Sequence, residues 1–284
     1  MNDTPPPSST GPAPVTRTAA VADGLRFAFG TLTVLPVRVR RWDRTTARAG
    51  MLCAPLAGLV VGLGAAAGGC LLLALGSGPL LAAVATAAVP AALTRGLHWD
   101  GLADVADGLG SGKPADAALR IMKQSDIGPF GVLTLVFVLL AQVAALHGLY
   151  THGWAHGAAG AVVAGLAART ALTRSCRRGI PAARRDGLGA VVAQTVPGGA
   201  AVAVTAAAVT AGAGVAVLGG GPALPGAASA AVLGGVTVVA ALGAAELLLR
   251  HCRRRFGGVT GDVLGAVAET AGTVALLVLT LGAH

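Results

Sequence analysis

Long apolar blocks separated by short polar segments run along most of the chain. The blocks are nearly unbroken, and the stretch from Val132 to Leu146 shows no alternation of apolar and polar positions. A membrane-spanning helix needs about 17 to 25 apolar residues, whereas a membrane β-strand would alternate at every second position. The pattern therefore predicts an all-α, polytopic transmembrane helical bundle. About seven spans are predicted, near 51–75, 79–95, 128–148, 155–173, 190–218, 226–249 and 263–282.

The N-terminal region follows a different pattern. Residues 1–22 are rich in Pro, Ser, Thr and Ala, a composition that predicts a disordered tail. The apolar segment from Leu25 to Val37 is short for a crossing, and Pro36 would end a helix, so we expect an interfacial or re-entrant helix there. Residues 23–284 are predicted to form a single integral membrane domain.

Composition and charge support this interpretation. Hydrophobic residues make up 54% of the 284 residues and charged residues only 12%, which is more apolar surface than a soluble core of this size can bury. The net charge of +9 is concentrated in four segments beside the spans, while 76–79, 147–156 and 219–226 contain no Lys or Arg. The positive-inside rule predicts that the four basic segments face the cytoplasm. Aromatic residues are only 3% of the chain, so the charge does not indicate a nucleic-acid partner.

Three of the 12 acidic residues fall close together, directly after a predicted span. Asp100, Asp104 and Asp107 have the spacing i, i+4 and i+7, which places them on one helix face, where they repel one another unless a cation offsets the charge. Carboxylate oxygens suit Mg²⁺, which binds one or two carboxylates and completes its shell with water and phosphate oxygens. We expect a Mg²⁺ site here, with His98 close enough in sequence to join it. The alternative is a solvated acidic face.

Cationic side chains follow the acidic cluster. Arg120 and Lys123 come next in the chain, and Arg184 lies in a later segment that is also rich in glycine. Cations beside a carboxylate cluster are what a site for a phosphate ester needs, because a metal ion alone does not neutralise a pyrophosphate. The alternative is that these side chains only anchor the protein at the lipid headgroups.

A glycine-rich segment near the C-terminus is a second candidate for anion binding. It follows a run of arginines, and its glycines would allow the backbone to approach a phosphate closely. The candidate residues in this segment are Gly258, Thr260, Gly261 and Asp262. Two further carboxylates fall within predicted spans, where they are usually paired or functional. We expect Glu246 to pair with Arg250, and Glu269 to point toward the pocket of Asp262.

Several of these segments resemble the cobalamin synthase family. The strings HWDGLADVADGL (98–109) and RIMKQSDIGPFG (120–131) are similar to that family's signature His-x-Asp-Gly-Leu-Ala-Asp-x-x-Asp-Gly and to the Ser-x-Ile-Gly-x-x-Gly that follows it. GGVTGDVLGA (257–266) resembles its C-terminal Gly-Gly-x-Thr-Gly-Asp motif. TLTVLPV (31–37) is similar to its N-terminal motif, although Thr31 stands where Phe is usual. The resemblance extends from about residue 25 to the C-terminus.

The resemblance implies a catalytic domain with a defined reaction. It implies a Mg²⁺-dependent transfer of the adenosylcobinamide phosphate group from adenosylcobinamide-GDP to α-ribazole or its 5′-phosphate, with release of GMP. Asp100, Asp104 and Asp107 would then be the metal ligands, and one of them or His98 would accept the proton of the attacking hydroxyl group. Arg120, Lys123 and Arg184 would bind phosphate, with the Asp262 segment as a second wall. The expected setting is the inner membrane of a bacterium, with the site facing the cytoplasm.

Two other functions share part of the pattern. A CDP-alcohol phosphotransferase also places aspartates at helical spacing beside a membrane, but its pattern continues Asp-Gly-x-x-Ala-Arg, and this chain has Asp104 and Val105 where Ala-Arg would stand. A transporter would carry charges in the middle of several spans, which 128–148 and 190–218 do not. A homo-oligomer or a complex with other corrinoid-pathway enzymes is compatible with the sequence.

Overall fold

All regular elements that the structure describes are helices. A computed structural model describes residues 17–219 and 226–281, and within these ranges it contains eleven α-helices and no β-strand. The helices are α1 (Arg17–Leu32), α2 (Arg44–Ala74), α3 (Pro79–Leu93), α4 (Leu97–Gly110), α5 (Ala115–Ile121), α6 (Pro129–Thr151), α7 (Trp154–Ser175), α8 (Gly187–Val192), α9 (Gly198–Leu218), α10 (Ala227–Phe256) and α11 (Gly261–Leu281). The predicted all-α class is confirmed.

Five of these helices, α2, α6, α9, α10 and α11, are long and apolar enough to cross a membrane. Helices α3 and α4 meet the same criteria only together, and they are bent by 89° at the break between them, so they form a broken span or a re-entrant segment. The helices are those expected of a multi-pass membrane protein. The predicted count of seven spans is not confirmed, because five helices qualify, or six if the bent pair is one span.

Helix α7 accounts for part of this difference. It matches the predicted span 155–173, but it carries Arg169 and Arg174, and residues 160–173 are all buried. A helix that is buried on every face lies inside the protein rather than against lipid. Its small residues allow this: a Cβ atom at Gly165 would lie 2.6 Å from the Gly58 carbonyl oxygen, so the backbones of α7 and α2 are in contact.

The predicted span 190–218 is interrupted in the structure. Helix α8 ends at Val192, and α9 begins at Gly198, directly after Pro197. Between them Gln194 has a φ of +60°, which is outside helical geometry, and Pro197 has no N–H group to continue a helix. The apolar stretch therefore begins as a short turn of helix and only its later part, 21 residues long, forms α9.

The N-terminal helix begins earlier than predicted. Residues 17–22 belong to α1 and not to a disordered tail, while residues 1–16 of the predicted tail lie outside the described residues. Helix α1 packs closely on α2, since a Cβ atom at Gly24 would lie 2.8 Å from the Ala49 Cβ. It ends at Leu32, before Pro36. Whether α1 is interfacial or re-entrant stays a prediction.

A sharp reversal after α3 positions the acidic helix α4. Arg95 and Gly96 both adopt the left-handed conformation, with φ values of +53° and +69°. Two consecutive residues of this kind end α3, and glycine is the residue that adopts this conformation without steric cost. The chain therefore leaves α3 at a steep angle and α4 crosses the end of α11.

Candidate active site

Helices α4 and α11 cross at glycines, and the crossing brings carboxylates together. A Cβ atom at Gly101 would lie 2.7 Å from the Asp262 carbonyl oxygen, and one at Gly265 would lie 3.1 Å from the His98 Cα. The two backbones are therefore in contact, with no room for larger residues. The carboxylate of Asp104, half-buried on α4, consequently lies within the electrostatic field of Asp262 on α11 as well as of its neighbours Asp100 and Asp107.

Four carboxylates from two helices thus meet at one end of the bundle. We call Asp100, Asp104, Asp107 and Asp262 the acidic cluster. The first three were predicted to share a helix face, and the structure agrees. The sequence placed Asp262 only on a second wall of the site. Its close approach to Asp104 depends on the helix crossing, which no local pattern predicts.

Asp107 has a contact that the sequence did not predict. Its two carboxylate oxygens accept hydrogen bonds from the backbone N–H groups of Gly128, at 2.8 Å, and Gly131, at 2.9 Å. These are orphan donors at the N-terminus of α6, where a negative charge is favourable. Because a Cβ atom at either glycine would lie 2.5 Å from an Asp107 oxygen, both positions require glycine. Asp107 therefore caps α6 and joins it to α4.

Arg184 connects the acidic cluster to the neighbouring loops. Its Nη1 donates to Asp262 Oδ2 at 3.3 Å, and its Nη2 donates to the Leu119 carbonyl oxygen at 2.6 Å. The Thr260 hydroxyl group also donates to Asp262 Oδ2, at 3.1 Å. Arg184, Thr260 and Asp262, which were predicted as substrate-binding residues, are thus brought into one group.

The glycine-rich segment packs against the loop that carries Arg184. The Val259 N–H donates to the Pro181 carbonyl oxygen and the Ala183 N–H donates to the Val259 carbonyl oxygen, both at 2.9 Å. A Cβ atom at Gly258 would lie 2.7 Å from the Ala183 backbone nitrogen. Gly258 is therefore needed for contact between the two loops, whereas Gly261 has open space and starts α11.

Lys123 and Arg120 lie on the exposed rim of the site. Lys123 Nζ donates to Asp186 Oδ2 at 2.9 Å, and both side chains are exposed. This hydrogen bond, together with the positive charge of Lys123, lowers the pKa of Asp186. Because an exposed pair of this kind contributes little stability, Lys123 can exchange Asp186 for a phosphate group at little cost.

His98 does not join the acidic cluster. Its side chain is only 2% exposed, and its Nδ1 lies 3.2 Å from Arg169 Nη2 in the interior. A helix advances about 100° per residue, so two residues separate His98 and Asp100 by about 200°, and they lie on opposite faces of α4. The predicted role of His98 as a proton acceptor for the hydroxyl group is wrong for this geometry.

The two intramembrane glutamates differ in their surroundings. Glu246 accepts from Arg250 Nε at 3.0 Å, as predicted, and also from Arg177 Nη2 at 2.7 Å. Glu269 is not directed at Asp262: it is buried in the bundle, where it accepts a hydrogen bond from Gln142 at 3.2 Å. The expected position of Glu269 in the Asp262 pocket is therefore corrected.

The acidic cluster has a donor set that fits Mg²⁺ with substrate bound. Among the described residues no group of three or more His, Cys, Asp or Glu side chains is close enough to hold a metal ion by itself. Mg²⁺ rarely uses such a cage, since it takes one or two carboxylates and keeps water or phosphate oxygens in its other positions. Asp104 and Asp262 provide two carboxylates of this kind.

These features define a multi-pass helical membrane protein with an acidic site, bordered by cations, at one end of its bundle. The chain belongs to the cobalamin-5-phosphate synthase family, whose sequence profile matches residues 24–280. The resemblance seen in the motifs is confirmed.

Curated relatives match nearly the whole chain. A protein of Frankia casuarinae is 42% identical over 270 residues, which cover 90% of this chain and 94% of the relative. A Nocardioides protein is 42% identical over 90% of this chain and 97% of its own length, and one of Bradyrhizobium diazoefficiens is 37% identical over 91% and 93%. All three are named adenosylcobinamide-GDP ribazoletransferase. No solved structure gives a significant match.

Proposed function

We propose that this protein is an adenosylcobinamide-GDP ribazoletransferase. It would join adenosylcobinamide-GDP with α-ribazole or α-ribazole 5′-phosphate to give adenosylcobalamin or its 5′-phosphate, with GMP as the second product. The observation that carries the proposal is the relatives of that name, 42% identical over nine tenths of the chain. The acidic cluster and its cationic rim support it, because the reaction is a displacement at a pyrophosphate.

The reaction is a displacement at one phosphorus atom, and the negative charge of the pyrophosphate must be stabilised while it takes place. A ribose hydroxyl oxygen of the ribazole forms a bond to the phosphorus nearer cobinamide, the bond from that phosphorus to the GMP oxygen breaks, and the hydroxyl proton must be taken up. The attacking oxygen is not the 5′ oxygen, which is already esterified in α-ribazole 5′-phosphate. Catalysis of this kind is mostly positioning and electrostatic stabilisation. Asp104 and Asp262 would hold Mg²⁺, with water and phosphate oxygens in its other positions, and its charge would offset that of the pyrophosphate.

The protein's own side chains would orient the two substrates. Asp100 is the candidate proton acceptor, because it is the exposed carboxylate of the acidic cluster, whereas Asp104 would bind the metal and His98 faces the interior. Arg184 is fixed to Asp262 and to the Leu119 carbonyl oxygen, so it presents a preorganised guanidinium group. Arg120 and Lys123 on the rim would bind the outer phosphate of the nucleotide.

The orientation and setting of the site follow from charge. The acidic cluster lies beside the basic segments that contain Arg120 and Arg184, and the positive-inside rule assigns such segments to the cytoplasm. We therefore place the site on the cytoplasmic face of the inner membrane of a bacterium. Adenosylcobinamide-GDP is large and charged, and it would reach the site from the cytoplasm without crossing the bilayer.

The test is a reconstituted assay. Purified protein in liposomes is incubated with adenosylcobinamide-GDP and α-ribazole in the presence of Mg²⁺, and GMP and the corrinoid product are measured by chromatography. The proposal predicts that both products appear in equal amounts and that omission of either substrate stops the reaction. The same preparation is tested with a CDP-alcohol and an alcohol acceptor. Release of CMP without any release of GMP would contradict the proposal.

A further inference from the structure

A small polar cavity lies in the middle of the bundle, apart from the acidic cluster. Its volume is about 50 Å³, and it is lined by residues of α2, α3, α4, α6, α7 and α11. Most of the lining is Ala, Gly, Val and Leu, but Arg169, Glu269 and Gln142 also line it. These three side chains are all buried in an otherwise apolar interior. Charged groups at such depth are costly unless they are paired or have a function.

Some polar atoms of these three side chains have no hydrogen-bond partner within the described part of the chain. Arg169 is 3% exposed, and its Nε has no hydrogen-bond partner among the residues that the structure describes. Glu269 accepts one hydrogen bond, from Gln142. The ion pairs found within the described ranges do not join Arg169 to Glu269. A buried guanidinium group and a buried carboxylate therefore line one cavity without touching.

Water is the occupant that fits this cavity. One water molecule needs about 10 to 15 Å³ of such volume and 2 to 4 polar partners, so about three to five molecules have room. An N–H donor of Arg169 and the carboxylate oxygens of Glu269 provide the partners. An apolar occupant would leave both charges unsatisfied. A nucleoside or any part of a corrin ring is too large.

Arg169 also contacts the first turn of the acidic helix. Its Nη2 lies 3.2 Å from His98 Nδ1, and because a guanidinium group can only donate, the imidazole accepts at Nδ1. His98 lies two residues before Asp100. Helix α4 has no side-chain hydrogen bond at its N-cap, Gly96, so within the described residues this contact is the side-chain hydrogen bond that attaches its first turn to another helix.

We propose that the cavity is an internal water site that links Arg169 to Glu269, and that Arg169 is a positioning residue for α4. The guanidinium group, oriented by water and by Glu269, holds His98 in place. It thereby fixes the position of α4, and with it the positions of Asp100 and Asp104 in the site. The effect of Arg169 on turnover rests on the proposed function. The water site and the position of α4 are independent of that function.

The water site is tested by hydroxyl-radical footprinting of the wild-type protein in detergent with a synchrotron pulse, which labels side chains beside bound water. Leu146 lines the cavity, and Leu172 is equally buried but lies in another part of the core, so it is the matched control. We expect Leu146 to be labelled at least about five times faster than Leu172, since only Leu146 has water beside it. Equal labelling of the two leucines would overturn the water site.

The positioning role is tested with Arg169→Met, Arg169→Lys and the matched control Glu246→Gln, which changes another largely buried charged group away from the cavity. Hydrogen exchange of the 97–110 peptide reports on α4 whether or not the protein is active. Loss of a charge-assisted hydrogen bond is expected to speed exchange there by about tenfold in Arg169→Met, and less in Arg169→Lys, which keeps a donor. Exchange in Glu246→Gln should match the wild type. Unchanged exchange of α4 in Arg169→Met would overturn the proposal.

Turnover gives the second measurement. Per folded protein, Arg169→Met is expected to lower kcat by at least about tenfold while KM for adenosylcobinamide-GDP changes by less than about threefold, because the cations that bind phosphate stay in place. Arg169→Lys should recover part of kcat. If the wild type releases no GMP, the proposed function fails and the exchange experiment still decides the positioning role. If the wild type is active and Arg169→Met has wild-type kcat, the positioning role is wrong.

Discussion

At the scale of single residues, the three aspartates of α4 have different surroundings despite their common face. Asp100 is exposed, Asp104 is half-buried beside Asp262, and Asp107 is buried with both oxygens bound to backbone N–H groups of α6. The spacing of the aspartates predicts a shared face but not these differences, which depend on where α6 and α11 pack. We infer that Asp100 and Asp104 face the substrates, whereas Asp107 holds two helices together.

The cap made by Asp107 leads to a prediction about stability. Replacing it with Ala leaves two N–H groups of α6 without a partner and is expected to cost about 2 kcal/mol of folding free energy. Asp107→Asn keeps one carbonyl oxygen as an acceptor, so its loss should be smaller. Thermal unfolding of the purified variants in detergent measures both effects. Melting of Asp107→Ala at the wild-type temperature would contradict the capping role.

At the scale of helices, glycines decide how closely the elements of the site approach. Helices α4 and α11 touch at Gly101 and Gly265, and α4 touches the start of α6 through Gly128 and Gly131. Each of these glycines lies within a sequence motif that also contains candidate site residues. Their structural role is to allow backbone contact, which brings Asp104 and Asp262 together.

Gly131 and Gly148, both on α6, provide a matched test of this packing. A Cβ atom at Gly131 would lie 2.5 Å from Asp107 Oδ2, whereas one at Gly148 would meet its nearest neighbour, Thr280, only at 4.0 Å. We expect Gly131→Ala to lower the melting temperature and the activity, because the carboxylate must move off the N–H groups of α6. Gly148→Ala should behave as the wild type, since helix propensity favours Ala. Equal melting temperatures for the two variants would show that the contact with Asp107 is not needed.

The sequence predicts most helices but not how they end or cross. Apolar blocks correctly indicate α2, α6, α10 and α11, because a long uninterrupted block has only one way to satisfy its backbone in lipid. The reversal at Arg95 and Gly96 and the break at Gln194 depend on left-handed residues, which an apolar pattern does not record. The position of His98 does not follow from its nearness to Asp100 in sequence, because neighbours two residues apart on a helix face opposite sides. The contact between His98 and Arg169 joins residues 71 positions apart, which no local pattern indicates.

At the scale of the whole molecule, the two polar groups that concern the site lie apart from each other. The acidic cluster and its cations lie at one end of the bundle, and the cavity with Arg169 and Glu269 lies in the middle. The outer faces of the long helices are apolar, as lipid requires. If Arg169 holds α4 as proposed, a buried arginine on α7 in the middle of the bundle supports the site at its end.

The orientation of the bundle can be measured with fused reporters. A reporter placed after Gly112, which follows α4, is expected to read as cytoplasmic, and one placed after Ser77, between α2 and α3, as external. The reason is that the basic segments lie on the side of α4 and the segment 76–79 contains no cation. Alkaline phosphatase and green fluorescent protein fusions report the two sides with opposite signals. A reversed result would place the acidic cluster on the outer face and contradict the cytoplasmic site.

The acidic cluster at the crossing of α4 and α11 is proposed to carry out the transfer, and the Asp104→Asn variant tests this role. Asp116→Asn, which changes an exposed carboxylate on α5, is the matched control for the loss of one negative charge. Asp104→Asn is expected to insert and fold normally but to release GMP at least about a hundredfold more slowly than the wild type at low Mg²⁺, while Asp116→Asn keeps full activity. Wild-type rates of GMP release by Asp104→Asn across the same Mg²⁺ titration would show that the acidic cluster does not have this role.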